Sequence, residues 1–457
     1  MSKLVNIIID GLDYTAQEGS LLIDKLIAEK IKVPYFCYHE SLGADGNCRM
    51  CMVGIEGQKR PQIACDTLIK DGMVVNTKTD TINQVRTDIL ELELVNHPVD
   101  CPTCDQAGEC SLQDFYMDYG LHNSKISVEE KVKHNKALDL GSNVMLDQER
   151  CVLCARCTRF TDKVTGTHEL GIIGRGDDAK VSIMPGRPLS NPYAMNVVDL
   201  CPVGALTSKD FRFSQRVWFL KSAESVCQGC AKGCSIFIDH NKMKYKDDVI
   251  YRFRPRRNDA VNGFFICDEG RLSYKALQEN RQETALLNGV EITQEDALSK
   301  VKELLALYKG NTTCVIDANL YTEEMEAILA FAKLIKADVC APLEVYEDKE
   351  FGDDMLKSSD RAANASSIKN LNISTQAPKQ EGLIINFNHP QDFIGDANID
   401  LLTHKRHTSA LVLPIAAYSE NSGSLTNEDG ITQECEKAVN KNNPMPTIIE
   451  HLKGFLV

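Results

Sequence analysis

The sequence predicts a multidomain α+β protein in which small cysteine-rich domains precede an α/β domain. The 457 residues exceed what one hydrophobic core usually supports. Fifteen of the 18 cysteines lie between Cys37 and Cys267. Beyond about residue 280, helical and strand patterns alternate, which is typical of a parallel sheet covered by helices. We therefore expect the chemistry in residues 1–270 and a different role for the remainder.

The N-terminal segment predicts a small β-grasp domain over residues 1–78. VNIIID reads as a strand, and a turn and a second short strand follow it. Ser20 is expected to cap the helix LLIDKLIAEK. A cysteine loop and further strands complete the pattern.

The next segments are organised around further cysteines. A helix is predicted over residues 79–95, ended by Pro98, and with a second short helix it forms a domain over 79–120. Residues 140–220 and 221–275 each contain another cysteine cluster.

Residues 280–457 are predicted to form an α/β domain. QEDALSKVKELLALYK reads as a helix, and TCVIDA and GLIINFN read as buried strands. The polar segment SSDRAANASSIKNLNISTQAPKQEG is expected to be a mobile loop.

Composition excludes several classes of protein. The net charge of −14 argues against a nucleic-acid binder, which normally shows a basic face. The sequence contains no run of about 18 apolar residues and no signal-peptide pattern, so we expect neither a membrane span nor export. So many cysteines without export indicate metal or cluster chemistry in a reducing compartment.

Three groups of cysteines each supply four thiolates, the ligands that iron–sulfur clusters need. The first resembles a plant-type two-iron site in having one close pair and a remote fourth cysteine; it consists of Cys37, Cys48, Cys51 and Cys65. Two others place three thiolates on one loop and a fourth far away, as four-iron sites do. They are Cys151, Cys154, Cys157 and Cys201, and Cys227, Cys230, Cys234 and Cys267. Structural zinc is the alternative, although zinc ribbons use two close pairs.

The remaining group lacks one cysteine. HPVDCPTCDQAGEC contains Cys101, Cys104 and Cys110, and His97 lies four residues before the first of them. Counting ligands makes His97 the sixteenth, which completes four sites. A histidine at a helix end without a metal role remains the alternative. Asp100 and Asp105 are rival ligands, but oxygen matches a soft cluster less well.

These motifs together resemble a known family. CYHESLGADGNCRMCMVGIE, HPVDCPTCDQAGECSLQD, ERCVLCARCTRF and CPVGALTSKDFRF look like the large iron–sulfur subunit (the G subunit) of bacterial NADH–quinone oxidoreductase, complex I. The likeness covers residues 1 to about 275, with the motifs in family order. CDEGRLSY, which begins at Cys267, resembles the segment that opens the molybdopterin-oxidoreductase fold, and fewer than 200 residues follow Cys267.

The resemblance implies the following architecture and cofactors. The architecture would be a β-grasp two-iron ferredoxin domain, a small helical domain whose cluster has one histidine and three cysteine ligands, a ferredoxin-like four-iron domain, a four-iron domain of molybdopterin-oxidoreductase type and a truncated α/β domain without a pterin site. One 2Fe-2S cluster and three 4Fe-4S clusters are implied, and no molybdopterin is expected. The cluster at Cys227 would be the additional one that only some members keep, a side branch of the relay.

The implied function is electron relay from a flavin subunit toward quinone, within an enzyme complex but without a substrate site on this chain. Expected partners are the flavin- and NADH-binding subunit, other peripheral-arm iron–sulfur subunits and, indirectly, the membrane arm. The expected location is the cytoplasmic face of the inner (plasma) membrane, peripherally bound. The alternatives are a relay subunit of a soluble NAD-linked hydrogenase or formate dehydrogenase, and a zinc-stabilised scaffold.

Overall fold

The computed structural model describes residues 3–120, 123–406 and 410–456. The chain divides into two compact units, residues 1–219 and residues 220–457. The fourth cysteine group therefore lies in the same unit as the C-terminal α/β region, and the first three groups share the other unit.

The first unit begins with a five-stranded sheet in the order β2-β1-β5-β3-β4. Strand β1 is antiparallel to β2 and parallel to β5, and helix α1 packs on the sheet through Leu22, Ile23 and Leu26, which are fully buried. The elements are β1 (Leu4–Ile9), β2 (Leu12–Gln17), α1 (Leu22–Ala28), β3 (Met52–Ile55), β4 (Gln62–Ile63) and β5 (Val74–Asn76).

The predicted strands and helix of this region are confirmed, but the predicted cap is wrong. Leu21, not Ser20, occupies the N-cap position of α1, and it makes no side-chain cap. The Ser20 hydroxyl instead donates to the Gln17 carbonyl oxygen at 2.7 Å, which closes the turn before the helix.

Helix α2 (Asp80–Leu94) leads to the second cysteine group. Its N-cap is Thr79, whose side chain accepts from the Ile82 amide. Arg86 is fully buried and donates to the carbonyl oxygens of Thr77 and Met52, both at 2.9 Å, which ties the helix to the preceding sheet. A short helix, α3 (Ser111–Phe115), follows the cysteines.

The rest of the first unit consists of small sheets and short helices. A three-stranded sheet has the order β10-β7-β6, and β8 and β9 form a hairpin. The elements are β6 (Leu138–Gly141), β7 (Val144–Leu146), α4 (Arg156–Lys163), β8 (Leu170–Ile173), β9 (Lys180–Ile183), α5 (Asn196–Leu200) and β10 (Leu206–Ser208).

The second unit contains a three-stranded and a seven-stranded sheet. The smaller is the antiparallel meander β11 (Lys221–Val226), β12 (Ser235–Lys242) and β13 (Asp248–Pro255), followed by α6 (Asp268–Leu272) and α7 (Tyr274–Gln278). The larger has the order β15-β14-β20-β19-β18-β16-β17 and is parallel from β20 to β17, as the sequence pattern predicted.

The strands of this larger sheet alternate along the chain with helices, and a short hairpin and a last helix follow them. The elements are β14 (Ala285–Leu287), β15 (Val290–Ile292), α8 (Gln294–Leu307), β16 (Thr312–Ile316), α9 (Thr322–Ile335), β17 (Asp338–Cys340), α10 (Ala365–Asn370), β18 (Leu383–Phe387), β19 (Ala397–Leu402), β20 (Leu411–Pro414), a hairpin of β21 (Gly423–Thr426) and β22 (Thr432–Cys435), and α11 (Ile448–Leu456).

The polar segment around residues 358–382 is not the mobile loop that the sequence predicted. It contains α10, and Ala362, Ala363 and Asn364 are buried. The Asn364 side chain donates to the Leu320 carbonyl oxygen at 2.8 Å and accepts from the Thr426 amide at 2.7 Å. This polar segment can be buried because the Asn364 side chain makes hydrogen bonds with backbone groups that water would otherwise make.

Candidate cluster sites

The structure brings the first cysteine group together in the loop between α1 and β3 and the turn after β4. The four thiols are free, and those of Cys37 and Cys51 are each close enough to the Cys65 thiol to share a hydrogen bond with it, as Cys37 is also with Cys48. These thiol contacts hold the pKa of Cys37 far below its usual value. All four side chains are buried, and the amides of Phe36 and Cys37 donate to the Cys48 sulfur at 3.4 and 3.5 Å. Amides pointing at sulfur favour thiolates and stabilise a bound cluster.

The third group, Cys151, Cys154, Cys157 and Cys201, lines one apolar recess together with valines, leucines and Ala205. The three clustered cysteines lead into α4, and Cys201 follows α5 directly. Leu153 and Ala155 both adopt left-handed φ angles, +48° and +58°. Two such residues in one tight loop cost about 1–3 kcal/mol each and are typical of a ligand-binding turn. Burial raises the pKa of the Cys154 thiol to about 12.

The second group lies at a more open site. His97, Cys101, Cys104 and Cys110 line one cavity of about 480 Å³. Cys101 is exposed and Cys110 is half-buried. Burial lowers the pKa of His97 to about 4, so the imidazole is neutral at physiological pH, which is the form that binds metals.

The rival ligands at this site are engaged elsewhere. The Asp100 carboxylate accepts two hydrogen bonds from the Arg150 guanidinium, at 3.1 and 2.7 Å, and pairs with Lys136 at 3.2 Å. Asp105 accepts from the Phe213 amide at 2.8 Å and does not line the cavity. Asp100 lines the cavity but is held by Arg150 and Lys136. Asp105 has one oxygen atom, Oδ2, without a hydrogen-bond partner among the described residues, but it does not line the cavity. Both observations favour His97 as the fourth ligand.

The fourth group, Cys227, Cys230, Cys234 and Cys267, is buried in the second unit. The amides of Gly229 and Gly270 donate to the sulfurs of Cys227 and Cys267 at 3.4 and 3.3 Å. A Cβ atom on Gly270 would lie 2.9 Å from the Cys227 sulfur and 3.2 Å from the Cys267 sulfur. Only glycine therefore fits between these two sulfurs.

All four groups fit iron–sulfur clusters by the chemistry of their donors. Burial raises the pKa of Cys110 and Cys267 to about 11 each, because a thiolate in apolar surroundings is unfavourable without a positive partner. The iron of a bound cluster would supply that positive charge, and amides such as those of Gly229 and Gly270 donate to sulfur.

Two arginines that the sequence analysis did not single out connect the first and third groups. Arg156 donates to the Tyr38 carbonyl oxygen at 2.6 Å and to that of Leu200 at 3.1 Å, and so bridges residues adjacent to Cys37 and Cys201. Arg159 donates to the carbonyl oxygens of Cys37 and of Gly43. Both flank a predicted ligand in CARCTRF, which was the available signal.

The third group also adjoins the second. The Ser111 amide, next to Cys110, donates to the Pro202 carbonyl oxygen at 2.9 Å. A Cβ atom on Gly204 would lie 2.2 Å from the Cys104 sulfur. The Cys151 group therefore adjoins both the Cys37 and the His97 groups, although it follows both of them along the chain.

The three other cysteines are buried outside the four groups, and two of them, Cys314 and Cys340, lie on neighbouring strands. Cys314 lies in β16 and Cys340 ends β17, and both belong to the core of the large sheet. Cys435 ends β22, where its thiol contacts the hydroxyls of Ser225 and Tyr321.

Four family models match the chain in succession. They are the 2Fe-2S iron-sulfur cluster binding domain (residues 2–80), the NADH-ubiquinone oxidoreductase-G iron-sulfur binding region (86–125), the NADH-quinone oxidoreductase subunit 3 ferredoxin-like domain (141–207) and the molybdopterin oxidoreductase Fe4S4 domain (220–279). The NADH-ubiquinone oxidoreductase 75 kDa subunit of Reclinomonas americana is 36% identical over 375 residues, 78% of this chain and 52% of that protein.

The NADH-quinone oxidoreductase G subunit of Streptomyces coelicolor is 36% identical over 339 residues, 72% of this chain and 40% of that protein. This chain is a homologue of the NADH-quinone oxidoreductase G subunit. The same subunit of Rickettsia typhi is 34% identical over 70% of this chain and 47% of that protein. The chain spans about half the length, or less, of these relatives.

One solved structure is also similar in part. A chain of an NAD+-reducing [NiFe]-hydrogenase in its H2-reduced state shares 26% identity at a TM-score of 0.42, covering 47% of this chain and 91% of that one. Separately, no helix in the described ranges is both long and apolar enough to cross a membrane.

Proposed function

We propose that this chain is the electron-relay subunit of an NADH–quinone oxidoreductase and passes electrons from a flavin subunit toward quinone. The observation that carries the proposal is the arrangement of the first unit, where the Cys151 group adjoins both the Cys37 and the His97 groups. Three adjacent sites in one compact unit form a continuous route for single electrons.

The proposal assigns sixteen ligands to four clusters. A 2Fe-2S cluster is assigned to Cys37, Cys48, Cys51 and Cys65. Three 4Fe-4S clusters are assigned to His97, Cys101, Cys104 and Cys110; to Cys151, Cys154, Cys157 and Cys201; and to Cys227, Cys230, Cys234 and Cys267. The bound clusters would accept and release single electrons, and the protein excludes water, donates amides to sulfur and sets the distances.

The finer architecture belongs to the same proposal. Residues 1–78 form the two-iron β-grasp domain, 79–120 the domain with the histidine-ligated cluster, 140–220 the ferredoxin-like domain, 221–275 the molybdopterin-oxidoreductase-type cluster domain and 280–457 an α/β domain without a pterin site. Electrons would pass from the Cys37 site through the Cys151 site to the His97 site. The open cavity at His97 favours it as the site that faces the next iron–sulfur subunit.

The proposed setting is peripheral attachment at the cytoplasmic face of the plasma membrane within a larger complex. The flavin- and NADH-binding subunit would donate electrons, and the other peripheral iron–sulfur subunits would pass them toward the membrane arm. In this proposal neither the nicotinamide site nor the quinone site lies on this chain.

Metal analysis and spectroscopy of the anaerobically purified chain test the proposal. We expect about 14 iron atoms per chain, matched by acid-labile sulfide, and four distinct signals in low-temperature EPR redox titrations. Zinc without sulfide would contradict the proposal and support a zinc scaffold.

Reconstitution with partners tests the setting. NADH should reduce the clusters only when the flavin subunit is present, and quinone reduction should require the membrane arm. Association with a hydrogenase catalytic subunit instead would contradict the assignment to NADH–quinone oxidoreductase.

A further inference from the structure

The loop between Cys227 and Cys234 is tied to the C-terminal region at every position that is not a predicted ligand. The Ala231 amide donates to the Asp360 carbonyl oxygen at 2.7 Å, and the Glu428 amide donates to the Ala231 carbonyl oxygen at 2.9 Å. Side chains reach the other four positions: Gln228 donates to the Asn319 carbonyl oxygen, Arg361 to that of Gly229, Asn427 to that of Lys232 and Gln433 to that of Gly233.

Two of these side chains, those of Asn427 and Gln433, are buried within the C-terminal region. Asn427 is 2% exposed and Gln433 is 8% exposed. The Asn427 side chain also accepts from the amides of Asp429 and Ile431, at 3.1 and 2.8 Å, so its orientation is fixed. A Cβ atom on Gly233 would lie 3.0 Å from the Cβ of Asn427, which shows how closely the two segments approach.

Arg361 connects the Cys227–Cys234 loop to the segment that follows Cys267. Its Nε atom donates to the Gly229 carbonyl oxygen at 2.6 Å, and its Nη2 atom pairs with Glu269, two residues after Cys267, at 2.8 Å. The guanidinium lies 3.8 Å from the ring centre of Phe351, which is buried, and also pairs with Asp348 at 3.3 Å. Because Gly229 lies between Cys227 and Cys230 in the chain, the hydrogen bond to its carbonyl oxygen places the guanidinium charge beside the part of the loop that carries both thiols.

We propose that residues 319–433 hold the Cys227–Cys234 loop in its cluster-binding shape. In this proposal Arg361 is a positioning residue, which fixes the loop to the segment that follows Cys267 and raises the reduction potential of the cluster. The inference rests on the fourth cluster assigned under Proposed function. Within the loop, the amides of Gly229 and Gly233 bond to the Cys227 sulfur and the Cys230 carbonyl oxygen, and the C-terminal region supplies a further bond at each of the five positions. A reduced cluster has one more negative charge, and a fixed cation beside its thiolates therefore favours reduction.

The test is an EPR-monitored redox titration of the full anaerobic chain, with Cys227→Ser identifying the signal of the fourth cluster by its loss. We expect Arg361→Gln to shift that signal to lower potential and leave the other three unchanged. Arg361→Lys retains the charge without the forked geometry and should restore part of the shift. An unshifted fourth signal in Arg361→Gln, or an equal shift of all four, would overturn the inference.

Arg406→Gln is the matched control. Arg406 also donates to backbone carbonyl oxygens, those of His389 and Pro390, and pairs with Asp392, and none of these residues belongs to the cluster loops. The fourth signal should keep its potential in this variant; a shift like that of Arg361→Gln would overturn the inference.

Iron content covers the case in which Arg361→Gln does not retain the cluster. Selective loss of about four iron atoms that Arg361→Lys restores supports the positioning role, and loss that Arg361→Lys leaves unrestored overturns it. If Cys227→Ser loses no iron, the fourth cluster of the proposed function is wrong and the inference fails with it. An unshifted potential in Arg361→Gln overturns the inference alone.

Discussion

The two units hold their predicted cluster sites in different ways. In the first unit the sites support one another: Arg156 reaches from the Cys151 group to the carbonyl oxygen of Tyr38, and Ser111 bonds to Pro202. In the second unit the single site is surrounded by residues of the C-terminal region, such as Arg361 and Gln433. Loss of one cluster ligand should therefore alter the neighbouring sites in the first unit, whereas in the second unit its effect should be confined to the single site.

Ligand removal should break this comparison most strongly. We expect Cys154→Ser to lose about four iron atoms and to alter the EPR signals of the neighbouring Cys37 and His97 sites. Cys227→Ser should lose a similar amount and leave the other three signals unchanged. Iron analysis with EPR measures both, and equally local effects of the two variants would contradict the comparison.

The arginine bridge should give the next largest effect. Arg156→Met leaves the carbonyl oxygens of Tyr38 and Leu200 without their donor in a buried site, which should destabilise the first unit by about 2–4 kcal/mol. Hydrogen exchange of amides in that unit measures the loss. Arg175→Met, at an exposed position, is the control and should change the free energy of unfolding by under about 0.5 kcal/mol.

The histidine should tune one site without removing it. His97→Cys replaces a neutral ligand by an anionic one, so the potential of that cluster should fall, by on the order of 100 mV. Redox-titrated EPR measures the shift, and His97→Ala is its companion variant. Four unchanged signals in His97→Ala would show that His97 is not a ligand.

Each unit also contains a carboxyl group that burial affects. Desolvation raises the pKa of Glu93 in the first unit and of Glu324 in the second to about 7, from an ordinary 4.5. The protonated form is favoured in the folded state, so its stabilising contribution is complete below pH 4.5 and is lost as the pH rises through about 7.

Glutamine variants should remove this pH dependence one unit at a time. For Glu324, which is 8% exposed, the loss between about pH 4.5 and pH 7.5 should be up to about 3 kcal/mol, and Glu324→Gln should abolish it in the second unit. Glu93→Gln should remove this pH dependence of the free energy of unfolding in the first unit only. Hydrogen exchange against pH reads the two units separately, and an unchanged slope in either variant would show that the carboxyl group is ionised in the fold.

Some of the fold was predictable because its signals are local. The strands β1 and β2, the helix α2 before Pro98 and the parallel strands of the C-terminal sheet follow from periodicity and chain breakers. The role of Ser20 and the packing of residues 358–382 were missed. The packing could not be predicted because Asn364 is held by Leu320 and Thr426, which are distant in sequence.

The sequence by itself determined the candidate ligands of this homologue of the G subunit, because a cluster needs four ligands of suitable chemistry and the spacing of the cysteines and one histidine shows them directly. Only the tertiary structure decided that the Cys151 group adjoins both the Cys37 and the His97 groups, and that residues 319–433 bond to the Cys227–Cys234 loop of the fourth site. Those relations depend on side chains such as Arg156 and Arg361 meeting carbonyl oxygens more than 100 residues away in the chain, and local patterns contain no trace of such contacts.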